Sequence, residues 1–370
     1  MVSSTSSSKS VSDFSVVTDG FEFIEFTGPQ EKPLTGCLHS LFISLGFIPI
    51  GVHNSKQITL YHQGKINFIL NSEAESYAHH FYQGHGVSLN AFAIRVTDAS
   101  AALQKALSFG AEEHEPLLNS DKCYIPAIRT AGGTLLYLME PRLEKTFYSL
   151  EFDLFPEAQK QINNFTQRNY GYFQGVGLKT IDHITYNVSR GEMDRWCDFY
   201  KQVFDFKEVQ YFNIKGKQTG LVSRALTSPC GKIRIPINES TDDDSQIEEF
   251  LQVYNGAGIQ HVALESADIY STVKSLKENG IKFLTTPETY YHNLHERIPD
   301  HGEPKNKLKE LNIQVDGHKD SLLLQIFTET YIGPIFFEII QRKGNEGFGE
   351  GNFQALFESI EQDQINRGVL

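Results

Sequence analysis

Three side chains in the second half of the chain are of the kinds that hold a divalent metal. His183 stands in "TIDHITYNVS" (180–189), His261 in "QHVALESADIYSTVKSLKENGIK" (260–282) and Glu338 in "GPIFFEIIQRK" (333–343). Glu338 is flanked by Ile335, Phe336, Phe337, Ile339 and Ile340, so its carboxylate belongs to an apolar strand. An unpaired buried charge costs on the order of several kcal/mol, and a residue kept there needs a partner. The intervals are 78 residues from His183 to His261 and 77 from His261 to Glu338. Near-equal intervals put the three at related places in successive repeats. Two neutral imidazoles and a carboxylate are the facial donor set of non-haem Fe(II) oxygenases. They leave three positions open, two for a chelating substrate and one for O2. A single buried histidine is more often a hydrogen-bonded core residue, and a strand glutamate more often half of an ion pair. The coincidence of all three favours the metal.

The elements that must position these residues repeat. "NAFAIRVTDASAALQKALSFGAE" (90–112) parallels 260–282: an alternating strand, an Asp N-cap, an amphipathic helix and a Gly at its end, with Asp and Gly 12 residues apart in both. "GGTLLYLMEPR" (132–142) parallels "GPIFFEIIQR" (333–342). In this comparison Ala91 stands where His261 does, Leu138 where Glu338 does, and the Phe23–Ile24 region where His183 does. One half carries donors and the other apolar residues, which predicts a site in the second half and scaffold in the first. Finer repeats give four βαβββ modules, two per half. "EMDRWCDFYKQVFDF" supplies the helix of the third, through Trp196, Phe199, Tyr200 and Val203. The expected organisation is a disordered tail (1–15), a first domain without metal (16–150), a linker (151–176), a catalytic domain (177–345) and a C-terminal gating helix (346–370). Phe353, Leu356, Phe357 and Ile360 form that helix's apolar stripe.

Composition narrows the function classes. The chain has 370 residues, 40% hydrophobic and 21% charged, as a two-domain globular protein would. A net charge of -13 argues against nucleic acid and anionic membrane as partners. Cys37, Cys123, Cys197 and Cys230 are scattered without a CxxC pair, which fits free thiols in a reducing cytoplasm. The Ser-rich start lacks the apolar core of a signal peptide, and no apolar run reaches the ~18 residues of a membrane span. Other histidine clusters read as surface. "YAHHFYQGHG" (His79, His80, His85) is expected as a surface loop or helix end. "YYHNLHERIPDH" (His292, His295, Glu296, His301) is expected as exposed helix and loop, because HxxHE is not a zincin motif. "GFGEGNF" lacks the βαβ setting of a phosphate loop, and its glycines read as a hinge.

The motifs "GLKTIDHITYNV", "GKIRIPINE", "SQIEEFLQVYNGAGIQHVAL", "LLLQIFTE", "FFEIIQR" and "GFGEGNFQALFESIE" together closely resemble the 4-hydroxyphenylpyruvate dioxygenase family and cover most of residues 175–370. The first half is similar more weakly, through "FEFIEFTG", "LYHQGKINFILN" and "AFAIRV". The resemblance implies an α+β, glyoxalase-like (vicinal oxygen chelate) fold, with the four modules forming two half-open barrels and a C-terminal helix. It implies one Fe(II) per chain on His183, His261 and Glu338. The matching substrate pocket is Ser223, Pro236, Asn238, Gln246 and Gln325. Phe327 and Phe353 match two rings that sandwich the substrate's ring, with Phe348 close by; Gln260 and Asn352 belong to the pocket region. Strand alternation agrees, placing Pro236 with Asn238 and Gln325 with Phe327 on shared faces.

The implied reaction converts 4-hydroxyphenylpyruvate and O2 to homogentisate and CO2 by decarboxylation, ring hydroxylation and side-chain migration, a step in tyrosine and phenylalanine breakdown. The substrate carries its own 2-oxo acid, so no 2-oxoglutarate is needed. A related branch, 4-hydroxymandelate synthase, uses the same triad and hydroxylates the benzylic carbon. "PIN" and the Phe348/Phe353 pair resemble the dioxygenase branch. Relatives are homo-oligomers, which implies a dimer or tetramer. A non-catalytic glyoxalase-like binding protein is the reading from another class, and the presence of all three donors disfavours it. A zinc or nickel enzyme of glyoxalase type would use four protein ligands, and no fourth appears at an equivalent repeat position.

Overall fold

A computed structural model describes residues 15–29, 36–114, 124–141, 146–158, 175–286, 288–292 and 294–368. The Ser-rich start, Cys123 and most of the expected 151–176 linker lie outside the described residues. In the first half, β1 (Thr18–Thr27), β2 (Ile48–His53), β3 (Ile58–Gln63), β4 (Ile66–Asn71), β5 (Ser88–Val96), β6 (Glu113–His114), β7 (Ala127–Arg129), β8 (Leu135–Met139) and β9 (Phe152–Leu154) form one sheet. Its order is β6-β7-β8-β5-β1-β4-β3-β2-β9. In the second half, β10 (Leu178–Val188), β11 (Lys207–Lys215), β12 (Gly220–Thr227), β13 (Arg234–Ser240), β14 (Gly258–Ser266), β15 (Gln314–His318), β16 (Ser321–Phe327) and β17 (Phe336–Lys343) follow. Their order is β11-β12-β13-β10-β14-β17-β16-β15.

Each module is a strand, a helix and three strands. The module helices are Cys37–Ser44, Ala99–Ser108, Met193–Phe204 and Ile269–Glu278. First and last strands of a module pair in parallel, and each half is joined by an antiparallel ladder, β1 with β5 and β10 with β14. The expected caps are present: Asp98 accepts from the Ala101 amide and Asp268 from the Tyr270 amide.

The ladders align the halves residue by residue. Phe23 pairs with Ala93 as His183 pairs with Ala263, and Glu25 pairs with Ala91 as Thr185 pairs with His261. Ala93 pairs with Tyr137 as Ala263 pairs with Glu338. The counterpart of Glu338 is therefore Tyr137, not Leu138. Gly132 and Gly133 both offer a start for the repeat, and the ladder selects Gly132. In a strand, a one-residue slip moves a side chain to the opposite face. Leu138 belongs to the large core shared by both halves, whereas Tyr137 packs with Phe23, Ala91 and Phe147 in a separate cluster of the first half. Both joining ladders also carry irregularities at matching places: Phe21/Phe23 and Glu25/Phe26 in β1, Ile181/His183 and Thr185/Tyr186 in β10.

The shared core reaches across the two sheets, where the rings of Phe26 and Phe68 meet Phe337 at 6.4 and 6.3 Å. "YAHHFYQGHG" is the helix Tyr77–His85 rather than a loop, with Ser76 as its cap. Its last residue docks on the other half: the His85 ring stacks on Tyr254 and its Nδ1 lies 2.8 Å from the Tyr254 carbonyl oxygen. The C-terminal helix Glu350–Arg367 is pinned to the β11–β12 turn by Glu361. That buried carboxylate accepts from the amides of Lys217, Gln218 and Thr219 at 2.8, 3.0 and 2.9 Å. Among the described residues, no helix is long and apolar enough to cross a membrane.

Candidate metal centre

β10, β14 and β17 are neighbours in the second sheet and supply one donor each. His183 Nε2 lies 3.3 Å from His261 Nε2 and 3.3 Å from Glu338 Oε2, and His261 Nε2 lies 3.5 Å from the same oxygen. All three residues are buried, Glu338 to 1% exposure.

The second nitrogen of each ring is already engaged. His183 Nδ1 donates to Asp182 Oδ1 at 2.8 Å, and His261 Nδ1 to Gln260 Oε1 at 2.9 Å. Both acceptors are oxygens, so the proton of each neutral imidazole sits on Nδ1 and the Nε2 lone pairs face inward. Burial and the neighbouring His183 push the His261 imidazole well below its usual range. Burial would lower His183 too, but the carboxylates of Glu338 and Asp182 outweigh it and raise this group. Two inward lone pairs and a carboxylate oxygen, desolvated and close-set, repel one another unless a cation lies between them. Cis ligands at about 2.1 Å from a divalent ion stand about 3 Å apart, so the observed separations suit one. The donors fit a metal.

Asp182 is adjacent to His183 in sequence, and strand alternation would put it on the other face. The ladder irregularity between Ile181 and His183 accompanies its contact with the histidine. Arg342 grips the Asp182 carboxylate with Nε at 2.7 Å and Nη2 at 2.8 Å. Burial would raise the Asp182 carboxyl, yet the bonds from Arg342 and His183 hold it far below the usual carboxylate range. On the other side, Gln325 Nε2 donates to Glu338 Oε1 at 2.8 Å, and Asn352 Nδ2 donates to Gln325 Oε1 at 2.7 Å. Gly349 admits this contact: a Cβ there would stand 2.4 Å from Gln325 Oε1.

The other candidate residues divide into two groups. Ser223 pairs with Asn238 across β12 and β13, and Asn238 pairs with Asn187 across β13 and β10. Ser223 Oγ, Asn238 Oδ1 and Asn187 Nδ2 are buried with no hydrogen-bond partner, so three neighbouring polar atoms are uncommitted. Pro236 shares a strand face with Asn238 and is buried, and Gln260 lies 3.5 Å from Asn238 Nδ2. The aromatic residues form the second group. Phe348 meets the His183 ring edge-on at 5.6 Å. Phe353 packs on Phe212, whereas Phe327 packs with Phe336 and Leu356 in a different cluster. Gln246 reaches towards the C-terminal helix, with Nε2 3.5 Å from the Phe357 carbonyl.

Sequence reasoning missed Asp182, Thr185, Asn187, Phe336 and Arg342. The Thr185 hydroxyl lies 2.9 Å from His261 Nε2, and Phe336 stacks on the His261 ring at 4.8 Å. A polar residue beside or two places from a donor, on the donor's own strand, is the signal that Asp182 and Thr185 carried. The reading of "YYHNLHERIPDH" as exposed helix and loop also missed a support: Tyr290 is half-buried, and its hydroxyl lies 2.5 Å from Asn352 Oδ1.

Comparison with known proteins decides the family. The chain is 51% identical to 4-hydroxyphenylpyruvate dioxygenase of Pseudomonas aeruginosa, over 95% of this chain and 96% of that one. This chain belongs to the 4-hydroxyphenylpyruvate dioxygenase family. The family model described as hydroxyphenylpyruvate dioxygenase (HPPD), N-terminal, matches residues 13–153. The glyoxalase/bleomycin resistance protein/dioxygenase superfamily model matches residues 180–305. Hemolysin VllY of Vibrio vulnificus is also 51% identical, over 95% of this chain and 97% of that protein. A solved mutant of 4-hydroxymandelate synthase from Streptomyces coelicolor shares the fold, with a TM-score of 0.79 and 24% identity over 94% of this chain and 99% of that one.

Proposed function

We propose that this chain is a non-haem Fe(II) dioxygenase that converts 4-hydroxyphenylpyruvate and O2 to homogentisate and CO2. The observation that carries it is the convergence of His183, His261 and Glu338, with both Nδ1 atoms turned outward onto oxygen partners, in a chain of this family. Bound Fe(II) would supply O2 activation and a chelation point for the 2-oxo acid. The protein's own residues do the rest. Asp182 and Gln260 fix the tautomer of each histidine, so each neutral ring presents its Nε2 lone pair inward. Gln325 fixes one oxygen of Glu338 and frees the other. Phe327 and Phe353, in separate clusters, would receive the substrate ring between them, with Phe348 excluding water beside His183. Ser223, Asn238 and Asn187 would bind the polar end of the substrate through their uncommitted atoms. Pro236 shapes that wall, Gln246 and Asn352 anchor the C-terminal helix, and the helix closes the pocket.

The test is anaerobic loading with Fe(II) and 4-hydroxyphenylpyruvate, followed by O2. Homogentisate with stoichiometric CO2 is the expected product; recovery of 4-hydroxymandelate would reassign the chain to the other branch. Glu338→Ala should lose metal uptake and turnover together. An E338A variant with wild-type iron affinity would refute the triad.

A further inference from the structure

We propose that Arg342 couples the metal centre to the C-terminal helix, so that fixing His183 for metal binding and docking helix Glu350–Arg367 are a single event. The inference rests on the metal reading above. Arg342 lies in β17, four residues beyond Glu338, with a side chain 8% exposed. Its guanidinium works on two edges. One edge grips Asp182, the acceptor of the His183 Nδ1 proton. From the other side, Nη1 donates to the carbonyls of Asn345 at 2.9 Å and Gly347 at 2.6 Å, in the turn that leads into the helix.

The next residue, Phe348, closes the circuit. Its ring contacts His183 and lies 5.9 Å from the Arg342 guanidinium carbon. Arg234 braces the same unit, with Nη1 3.6 Å from Asp182 Oδ2 and Nη2 bonded to Glu346. A guanidinium is a rigid planar fork that can be bidentate to a carboxylate while its remaining donors point elsewhere. Moving the 345–347 turn therefore turns the fork, and turning the fork releases Asp182 from its fixed pose. Coupling of this kind is reciprocal: whatever metal binding contributes to helix docking, docking contributes to metal affinity.

The test uses the full chain, with Co(II) as an oxygen-stable probe, a chelator competition for affinity and hydrogen exchange at residues 346–367. In the wild type, Co(II) should slow exchange across 346–367. Arg342→Lys should bind Co(II) about 10- to 100-fold more weakly and lose the metal-induced slowing. Glu361→Gln loosens the helix far from the donors, so it reads reciprocity without disturbing Asp182 and carries the test even where R342K folds poorly. Its Co(II) affinity should fall in proportion to the fraction of the metal-free variant in which the helix is undocked, which the exchange rates report. Unchanged Co(II) affinity in an E361Q variant whose metal-free helix is mostly undocked, or retained slowing in R342K, overturns the coupling. A wild type that binds Co(II) without slowing 346–367 overturns the coupling alone; one that takes up no metal overturns the metal reading with it.

Discussion

Glu25 in β1 and Glu338 in β17 are each buried to 1% exposure, and they are compensated differently. Glu338 faces two imidazole nitrogens and suits a cation. Glu25 faces amides: Asn71 and Asn90 donate to its Oε1 at 3.0 and 2.7 Å, and Tyr137 lies 3.4 Å from Oε2. Burial outweighs these bonds and raises the Glu25 carboxyl. A raised folded pKa means that the folded state keeps the proton more tightly than the unfolded chain. Its contribution is complete below the unfolded value and is lost as pH rises through the folded one. Glu25→Gln should therefore stabilise the protein at pH 8 and change little at pH 4. Urea unfolding at both pH values checks the difference, and Asn90 Oδ1, which has no partner, can accept from the new amide. At this scale the donors were legible because type and interval coincide. Their supports were not. Asp182 beside its histidine violates simple alternation, and Arg342 acts on a residue 160 positions away.

The elements were more legible than their junctions. Alternation and capping forecast the four modules, since a strand needs only period two and a helix only its stripe and caps. The Tyr290 segment and the Glu361 anchor were not legible, because each acts through a contact that no local pattern encodes. The turn into the C-terminal helix is the element on which activity should depend most. Gly349 has φ 70, and a Cβ there would press on Gln325 Oε1. Gly349→Ala costs about 1 kcal/mol for the backbone alone. It should also push Gln325 away from Glu338 and lower kcat on the order of tenfold. Steady-state kinetics beside urea unfolding would show both losses. Wild-type kinetics in G349A would place the Gln325 contact outside the working site.

The whole molecule is held by close approach of its two halves. Gly132, at φ 65, lies so near the second half that an added Cβ would stand 1.8 Å from the Ala257 carbonyl oxygen. Backbone cannot yield as a flexible side chain can. Gly132→Ala should therefore destabilise by at least about 2 kcal/mol and lower the thermal midpoint by a few degrees in calorimetry. Duplication was visible in the sequence because the strands repeat. The fusion of both halves into one core was not, because nothing in either repeat names the face that meets the other.

The matching irregularities in β1 and β10 carry a last implication. Since the half that lacks the three donors bends its strands at the same places, the bend belongs to the scaffold and not to the donors. The backbone that presents three donors is thus already built twice. Phe23, Ala91 and Tyr137 occupy the three stations in the first half, and Phe23→His, Ala91→His and Tyr137→Glu would write a second metal cradle into it. What separates the half that carries the donors from its counterpart is a matter of side chains rather than architecture.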